Sequence, residues 1–462
     1  MATLWSGRFD IAPDAEALEF GASFRFDRRL FEDDVTGSLA WARALAAAGV
    51  LSKDDAQQID LALSAMLEEA RSNPDFVDGP DEDVHSFVER VLVERLGDAG
   101  RRLHTGRSRN EQVSLDLRLY LRRRIPIVQH AIAVLVDVLA NQAADAADAV
   151  MPSFTHFRPA QPVLVAHFFL SHATPLRRDY ARFTAARDEC DALPLGSGAI
   201  AGTAYPVDVT RLAQELGFSR VVDNSMDASS DRDFAATFLY ACTMTMVHLS
   251  RLAEDLIILS GDAYHFFELP DALSTGSSMM PQKKNPDPLE LVRGKTGRAL
   301  GHLVGLFTAI KGLPTGYNKD LQEDKEAVFD AEDTLNGSLA VVRSVVGGLT
   351  VDRHRAASAA SGLLLATDVA DYLVARGVPF RRAHEIVGAL VRQLVAEGRD
   401  FASLSMGEWR AASELFDGDI VNRVTPGVSV TAKATPQSTA PAAVQARLTD
   451  VRQWLDSVGK LC

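Results

Sequence analysis

Between Ser108 and about Val150 the chain carries one very long helical pattern, in which Leu121, Ile125, Val128, Ile132, Leu135 and Leu139 recur at alternating spacings of four and three. Such spacing keeps every apolar side chain on one stripe of a helix and is the seam of a helix bundle. Pro126 interrupts the pattern; because proline removes one backbone bond and crowds the preceding turn, a kink is expected there and not a chain reversal. Asp231 to Asp262 and Pro286 to Lys311 read as two further long helices. Lengths well beyond the ordinary helix of about eleven residues bury their apolar sides only against several neighbours, including those of other subunits, so a homo-oligomer is expected.

On either side the units are shorter. Phe31 to Ala48 ends at Gly49, and Ser52 with Asp55 opens a helix as an N-cap with an acidic third residue. After about Thr350, helices such as Phe380 to Glu397 and Ala442 to Val458 alternate with Gly and Pro punctuation. Strand patterns are almost absent, Val428-Ser429-Val430 being too short to count. The expectation is an all-α chain of three domains, at 1–106, 107–358 and 359–462.

Composition narrows the function. With 62 acids against 48 bases and a net charge of −14, the chain lacks the basic excess that phosphate backbones select, so no nucleic-acid partner is expected. An anionic substrate then requires local cations. Cys190, Cys242 and Cys462 are few, scattered and without Cys-x-x-Cys spacing, which fits a reducing cytoplasm better than a disulfide framework or zinc knuckle. The start Met1 to Arg8 has no secretory pattern and no apolar run reaches about 18 residues, so no membrane is expected.

Three polar stretches are rich in chemistry. Ser274-Thr275-Gly276-Ser277-Ser278-Met279-Met280-Pro281-Gln282-Lys283-Lys284-Asn285-Pro286 is a glycine-containing segment before a helix start, since Asn285-Pro286 suits the first helical turn. Its backbone N–H groups with Lys283 suit an anion or a deprotonated serine, although an ordinary flexible loop has the same composition. His104-Thr105-Gly106-Arg107-Ser108-Arg109-Asn110 suits carboxylate recognition, with Arg109 as a bidentate grip and Ser108 and Asn110 as neutral donors; the alternative is a Ser108 cap with solvated arginines. Thr155-His156-Phe157-Arg158-Pro159-Ala160-Gln161-Pro162 reads as a loop entering a helix, with a histidine suited to proton transfer or merely solvated. Acids at Asp81-Glu82-Asp83-Val84-His85 are favoured by a helix dipole, and no metal is expected there. Gly196, Gly198 and Gly202 follow no strand and form no dinucleotide fingerprint.

The Gly276 to Pro286 segment closely resembles the signature of the fumarase, aspartase and argininosuccinate lyase superfamily, and its Gln282-Lys283-Lys284 version resembles the argininosuccinate lyase branch. His104 to Val113, Thr155-His156, Leu193-Pro194-Leu195-Gly196-Ser197-Gly198-Ala199, Tyr317 to Glu326 and Trp5-Ser6-Gly7-Arg8-Phe9 are similar to further segments of that family, in the same order. Glu111 stands where the family usually has aspartate and Ser6 where it usually has glycine, and Gln437-Ser438-Thr439-Ala440-Pro441 matches only loosely.

The resemblance implies a cofactor-free β-elimination that splits argininosuccinate into arginine and fumarate. It implies a homotetramer with a twenty-helix core, each active site drawing on three subunits. By the same likeness Ser277 is the general base and Lys283 and Asn285 stabilise a carbanion. Thr155, Ser108 and Asn110 bind the succinyl carboxylates, and His156, paired with Glu290, is the general acid. Asp27, Tyr317, Gln322 and Lys319, with Ser23 and Arg109 nearby, take the arginine end. The serine loop is expected to close over substrate. Other superfamily lyases and a non-catalytic crystallin-like protein are the competing readings. The Gln282-Lys283-Lys284 and Tyr317 to Glu326 segments oppose the first, and the joint retention of His156, Ser277, Lys283 and Glu290 opposes the second.

Overall fold

The computed structural model describes residues 14–459 and is all-α in class, with helices throughout and only short paired strands. The Trp5 to Phe9 segment and Cys462 lie outside the described residues. The apolar seam forms one continuous helix, Arg109–Ala146, which runs through Pro126 without reversing. All six seam residues are fully buried. This is the one helix among the described residues long and apolar enough to cross a membrane, and its buried seam makes it a core helix. The other two expected long helices are Asp233–Ser260 and Asp287–Ile310. Two more, Val165–Cys190 and Asp324–Gly347, were not foreseen.

The shorter helices follow their capping chemistry. Ser52 accepts the Asp55 N–H at 3.0 Å to open Lys53–Ser72. Phe380–Glu397 spans the expected residues and stops at Gly398 in the left-handed region. Pro441–Gly459 closes the described chain.

The chain folds into two compact units, each assembled from three separate stretches. The first comprises residues 1–128, 181–243 and 298–333; the second comprises 129–180, 244–297 and 334–462. In the second unit, His172 faces Asp255 at 3.2 Å and Asp179 faces His248 at 2.7 Å. A step of seven residues forward on Val165–Cys190 is matched by seven back on Asp233–Ser260, so these pairs fix an antiparallel register. Leu365, Val369, Leu373, Trp409, Phe416 and Ile420 belong to a buried cluster of their own, with the Trp409 ring 4.9 Å from that of Phe416.

One expectation needs correction. The Thr155 to Pro162 stretch is not a loop but part of an antiparallel hairpin, in which Val150–Thr155 pairs with Arg158–Leu164 and the second strand feeds directly into the Val165–Cys190 helix. Pro152, Pro159 and Pro162 hide the pattern, since proline opposes strand assignment except at edges and irregular pairings. The pairing does shift register between Pro152 and Phe154. Thr439, in the loosely matching C-terminal segment, accepts the Leu164 N–H at 2.7 Å where that strand ends.

Candidate active site

The hairpin presents its chemistry at its tip. Thr155 pairs with Arg158, leaving a two-residue turn of His156 and Phe157 with φ of 53° and 57°. Two positive φ values are the signature of the turn that matches strand twist, normally occupied by Asn-Gly because side chains with a bulky Cβ substituent resist that region. Here a histidine and a phenylalanine occupy it, both solvent-exposed. Strain of this kind persists where the side chain at that point is wanted.

The serine loop is a second hairpin. Thr275–Gly276 pairs with Lys284–Asn285, and the connecting residues 277–283 stand out from it. Ser277 Oγ accepts the backbone N–H groups of Met279 at 3.2 Å and Met280 at 3.0 Å. Two N–H dipoles aimed at one hydroxyl oxygen favour negative charge on it. The two lysines divide their work. Lys284 is tied down, its Nζ donating to Glu268 at 2.5 Å, Asp271 at 2.7 Å and the Leu269 carbonyl at 2.5 Å. Lys283 is exposed, and among the described residues no acceptor takes up its ammonium. Asn285 reaches Thr275 Oγ1 at 3.4 Å, and helix Asp287–Ile310 begins immediately beyond Pro286. Glu290 lies on that helix's first turn, 3.8 Å from Arg293. Among the described residues no ion pair joins Glu290 to His156, so one chain does not assemble the expected pair.

The first unit brings together the residues expected at the arginine end, from opposite ends of the sequence. Ser23 and Phe24 donate their N–H groups to the Glu82 carbonyl at 2.7 and 3.1 Å. Asp27 is buried, accepting from Ser23 Oγ at 2.5 Å and from the Val84 N–H at 3.0 Å. Burial raises its carboxyl above the usual value, with His85 and Ser23 opposing. Lys319 meets Glu82 at 3.1 Å, and Gln322 donates to the Gly21 carbonyl at 3.2 Å. Burial pushes the Tyr317 phenol up to about 12, against the field of Arg232.

The Ser108 to Asn110 group is equally well fixed. Asn110 N–H donates to Ser108 Oγ at 3.3 Å, and Asn110 Nδ2 to the Ala199 carbonyl at 3.2 Å. Arg109 donates to Gln112 at 3.0 Å and lies 3.7 Å from Asp83 and 3.8 Å from Glu89. The arginines are therefore not the solvated pair of the alternative reading, since Arg107 is buried and donates to Ser38 at 3.0 Å.

Sequence reasoning missed a buried cluster beneath these residues. His85 Nδ1 faces Asp34 at 3.1 Å and Asp116 at 3.2 Å, all three fully buried. Burial lowers the histidine pKa, but the two carboxylates outweigh it and raise it to about 10. Burial raises the Asp34 carboxyl, but His85 and Arg107 outweigh it and hold it well below the usual value, whereas burial and the neighbouring Asp34 push the Asp116 carboxyl up to about 8. Asp83, from the same acidic run, caps helix Val84–Leu96 by accepting the Ser86 N–H at 2.7 Å.

A family profile described as "Lyase" matches residues 7–301, and one described as "Argininosuccinate lyase C-terminal" matches 363–431. A solved structure of an EDDS lyase in complex with formate superposes with a TM-score of 0.83 at 26% identity, covering 96% of this chain and 91% of that one. The long-helix fold, the serine loop and the histidine hairpin thus define a lyase of the fumarase and aspartase superfamily. The chain is 46% identical to the argininosuccinate lyase of Moorella thermoacetica, covering 98% of both, and 48% identical to that of Thioalkalivibrio sulfidiphilus, covering 98% of this chain and 97% of the other. It belongs to the argininosuccinate lyase family.

Proposed function

We propose that this protein catalyses the reversible β-elimination of argininosuccinate to L-arginine and fumarate, in arginine biosynthesis. The observation that carries the chemistry is the pair of backbone N–H groups converging on Ser277 Oγ. A serine hydroxyl is a poor base unless deprotonated, and donors that favour its alkoxide raise the fraction in that base-competent form. Ser277 takes the proton from the succinyl carbon beside the carboxylate, leaving a carbanion whose charge spreads into that carboxylate, with Lys283 and Asn285 as the stabilising cation and donor. The electron pair then expels the guanidinium nitrogen, which takes a proton from His156 oriented by Glu290, so one C–H and one C–N bond break as the C=C bond forms. Thr155, Ser108 and Asn110 hold the carboxylates. Asp27, Tyr317, Lys319 and Gln322, with Ser23 and Arg109, hold the arginine half, where a buried acid suits a cationic substrate.

The unit of activity in this reading is a homotetramer in the cytoplasm, with sites drawn from three subunits. Exposed apolar side chains on one face of Asp287–Ile310, namely Leu300, Val304 and Phe307, support it, because such a row on one helix calls for a partner surface. So does the lack, among the described residues of one chain, of an ion pair between His156 and Glu290. We retain the three segments 1–106, 107–358 and 359–462, the last supported by its own buried cluster.

Fumarate appearance by ultraviolet absorbance, with argininosuccinate beside adenylosuccinate, aspartate and malate, tests the substrate. Turnover of argininosuccinate alone is expected, and turnover of another substrate instead would reassign the protein within the superfamily. Ser277→Ala removes one hydroxyl and no core volume, so it abolishes turnover while the assembly stays intact. A near-normal rate would remove Ser277 from the base role.

A further inference from the structure

Glu111 is fully buried on the first turn of helix Arg109–Ala146, and its two oxygens are both in use. Oε1 accepts the Ser108 N–H at 3.0 Å. Oε2 accepts the N–H groups of Gly196 at 2.8 Å and Gly198 at 2.9 Å. Burial pushes this carboxyl up to about 7, against the pull of the three backbone donors. Successive N–H groups in such a glycine turn form a concave anion site, and the protein fills this one from within.

The turn has little freedom of its own. Gly198 has φ +58°, and a Cβ there would lie 2.7 Å from the Gly202 carbonyl oxygen, so the backbone folds tightly around the carboxylate. The Ala199 carbonyl accepts from both Asn110 Nδ2 and Ser229 Oγ, at 3.2 and 3.1 Å. One side chain thus couples the segment carrying Ser108 and Asn110 to the 196–199 turn.

We propose that Glu111 is a positioning residue for the succinyl half of the substrate, setting the angle at which Ser108 and Asn110 present their donors. The proposal rests on the assignment of those two residues to the carboxylates. Glu111 itself touches no substrate. Its length is part of the function: an aspartate here is one methylene shorter and reaches both glycine N–H groups only if the turn moves toward the helix.

Glu111→Gln keeps the volume but turns an acceptor oxygen into a donor facing at least one N–H. The readout is product inhibition of the assembled enzyme, followed by arginine release for fumarate and by fumarate release for arginine. The inhibition constant for fumarate is expected to rise at least about tenfold, the equivalent of one lost charge-assisted bond. That for arginine should rise severalfold less, because of the groups assigned to the arginine half only Arg109 lies on the segment that Glu111 holds, and the others are independent of it. A merely structural role would lower the active fraction and leave both constants unchanged, which would overturn the proposal. If Glu111→Gln does not assemble, Glu111→Asp, which keeps the charge, is expected to give the same selective loss at smaller amplitude. Equal effects on the two products would again overturn it. Ser108→Ala is the control: if it leaves fumarate inhibition unchanged, the assignment of Ser108 fails; if it weakens inhibition and Glu111→Gln does not, the positioning role fails.

Discussion

Asp324 sits at the centre of a buried charge group, and its neutralisation is the sharpest test of how this interior is held together. Asp324 and Arg232 have side chains with no solvent exposure, and that of Lys325 is 3% exposed. One Asp324 oxygen accepts from Arg232 Nε and the other from Lys325 Nζ at 2.8 Å. Asp324→Asn would leave two buried cations around a neutral amide. Removing one partner of a buried ion pair destabilises by about 3–5 kcal/mol, roughly a hundredfold to a few thousandfold in the unfolding equilibrium. Arg232→Met, in contrast, leaves Asp324 neutralised by Lys325 and is expected to lose markedly less. Urea unfolding followed by circular dichroism at matched protein concentration reads both as shifts of midpoint at constant slope. The pH dependence supplies a second arm. Burial raises the Asp324 carboxyl, but Lys325 and Arg232 outweigh it and hold the carboxyl below its ordinary value. A lowered folded-state pKa gives stability that is present above the unfolded value of about 3.9 and lost as pH falls through the folded one. The deficit of Asp324→Asn should therefore be full at neutral pH and shrink below about pH 4. Equal losses from the two variants, or an Asp324→Asn deficit under about 1 kcal/mol, would refute the hub arrangement.

Asparagine tolerates the left-handed region, so His156→Asn should fold at least as well as the parent while turnover drops; substrates with less basic leaving groups should recover part of the rate, and no recovery would count against an acid role. Phe157→Gly relieves the second positive φ and loses little packing at a residue that is 80% exposed, so it should stabilise the protein by up to about 1 kcal/mol in the same urea assay. Burial pushes the Cys190 thiol up to about 12 and the Cys242 thiol well above its usual value. Neither should react with iodoacetamide until denaturant is added, and mass mapping of native-state labelling at either position would contradict their burial.

The parts of the fold that were legible in the sequence are those where a single face decides the matter. The 121–139 seam and the Phe380–Glu397 helix show a regular apolar stripe, with the Gly398 stop marking the end of the second. Val165–Cys190 has histidines, arginines and Pro175 spread along it, and its burial comes from tertiary partners such as Asp255 and His248 that no local window contains. At the site, residue types and order were readable through family resemblance, but their company was not. Asp27 meets Val84 across 57 positions, Gln322 meets Gly21 across 301, and Lys319 meets Glu82 across 237. Glu111 was read as a small departure near the carboxylate residues; its three backbone partners include two from a loop 85 and 87 positions away. The His85 cluster was hidden in the same way, because the acidic run beside it already had a local explanation in helix capping.

Because each compact unit is stitched from three separate stretches, neither exists as a finished piece of nascent chain. The first cannot close until residue 333 has left the ribosome, and the second waits for segments reaching toward the C-terminus. The apolar seam of Arg109–Ala146 is complete long before that. At roughly 5–20 residues per second it stands without its later partners for on the order of 10 to 40 seconds. A premature stop before residue 333 therefore yields not one sound domain and one missing one but two unfinished interiors, both with sticky faces. Until then the cell's chaperones meet this chain at its most exposed where its mature form is most deeply covered.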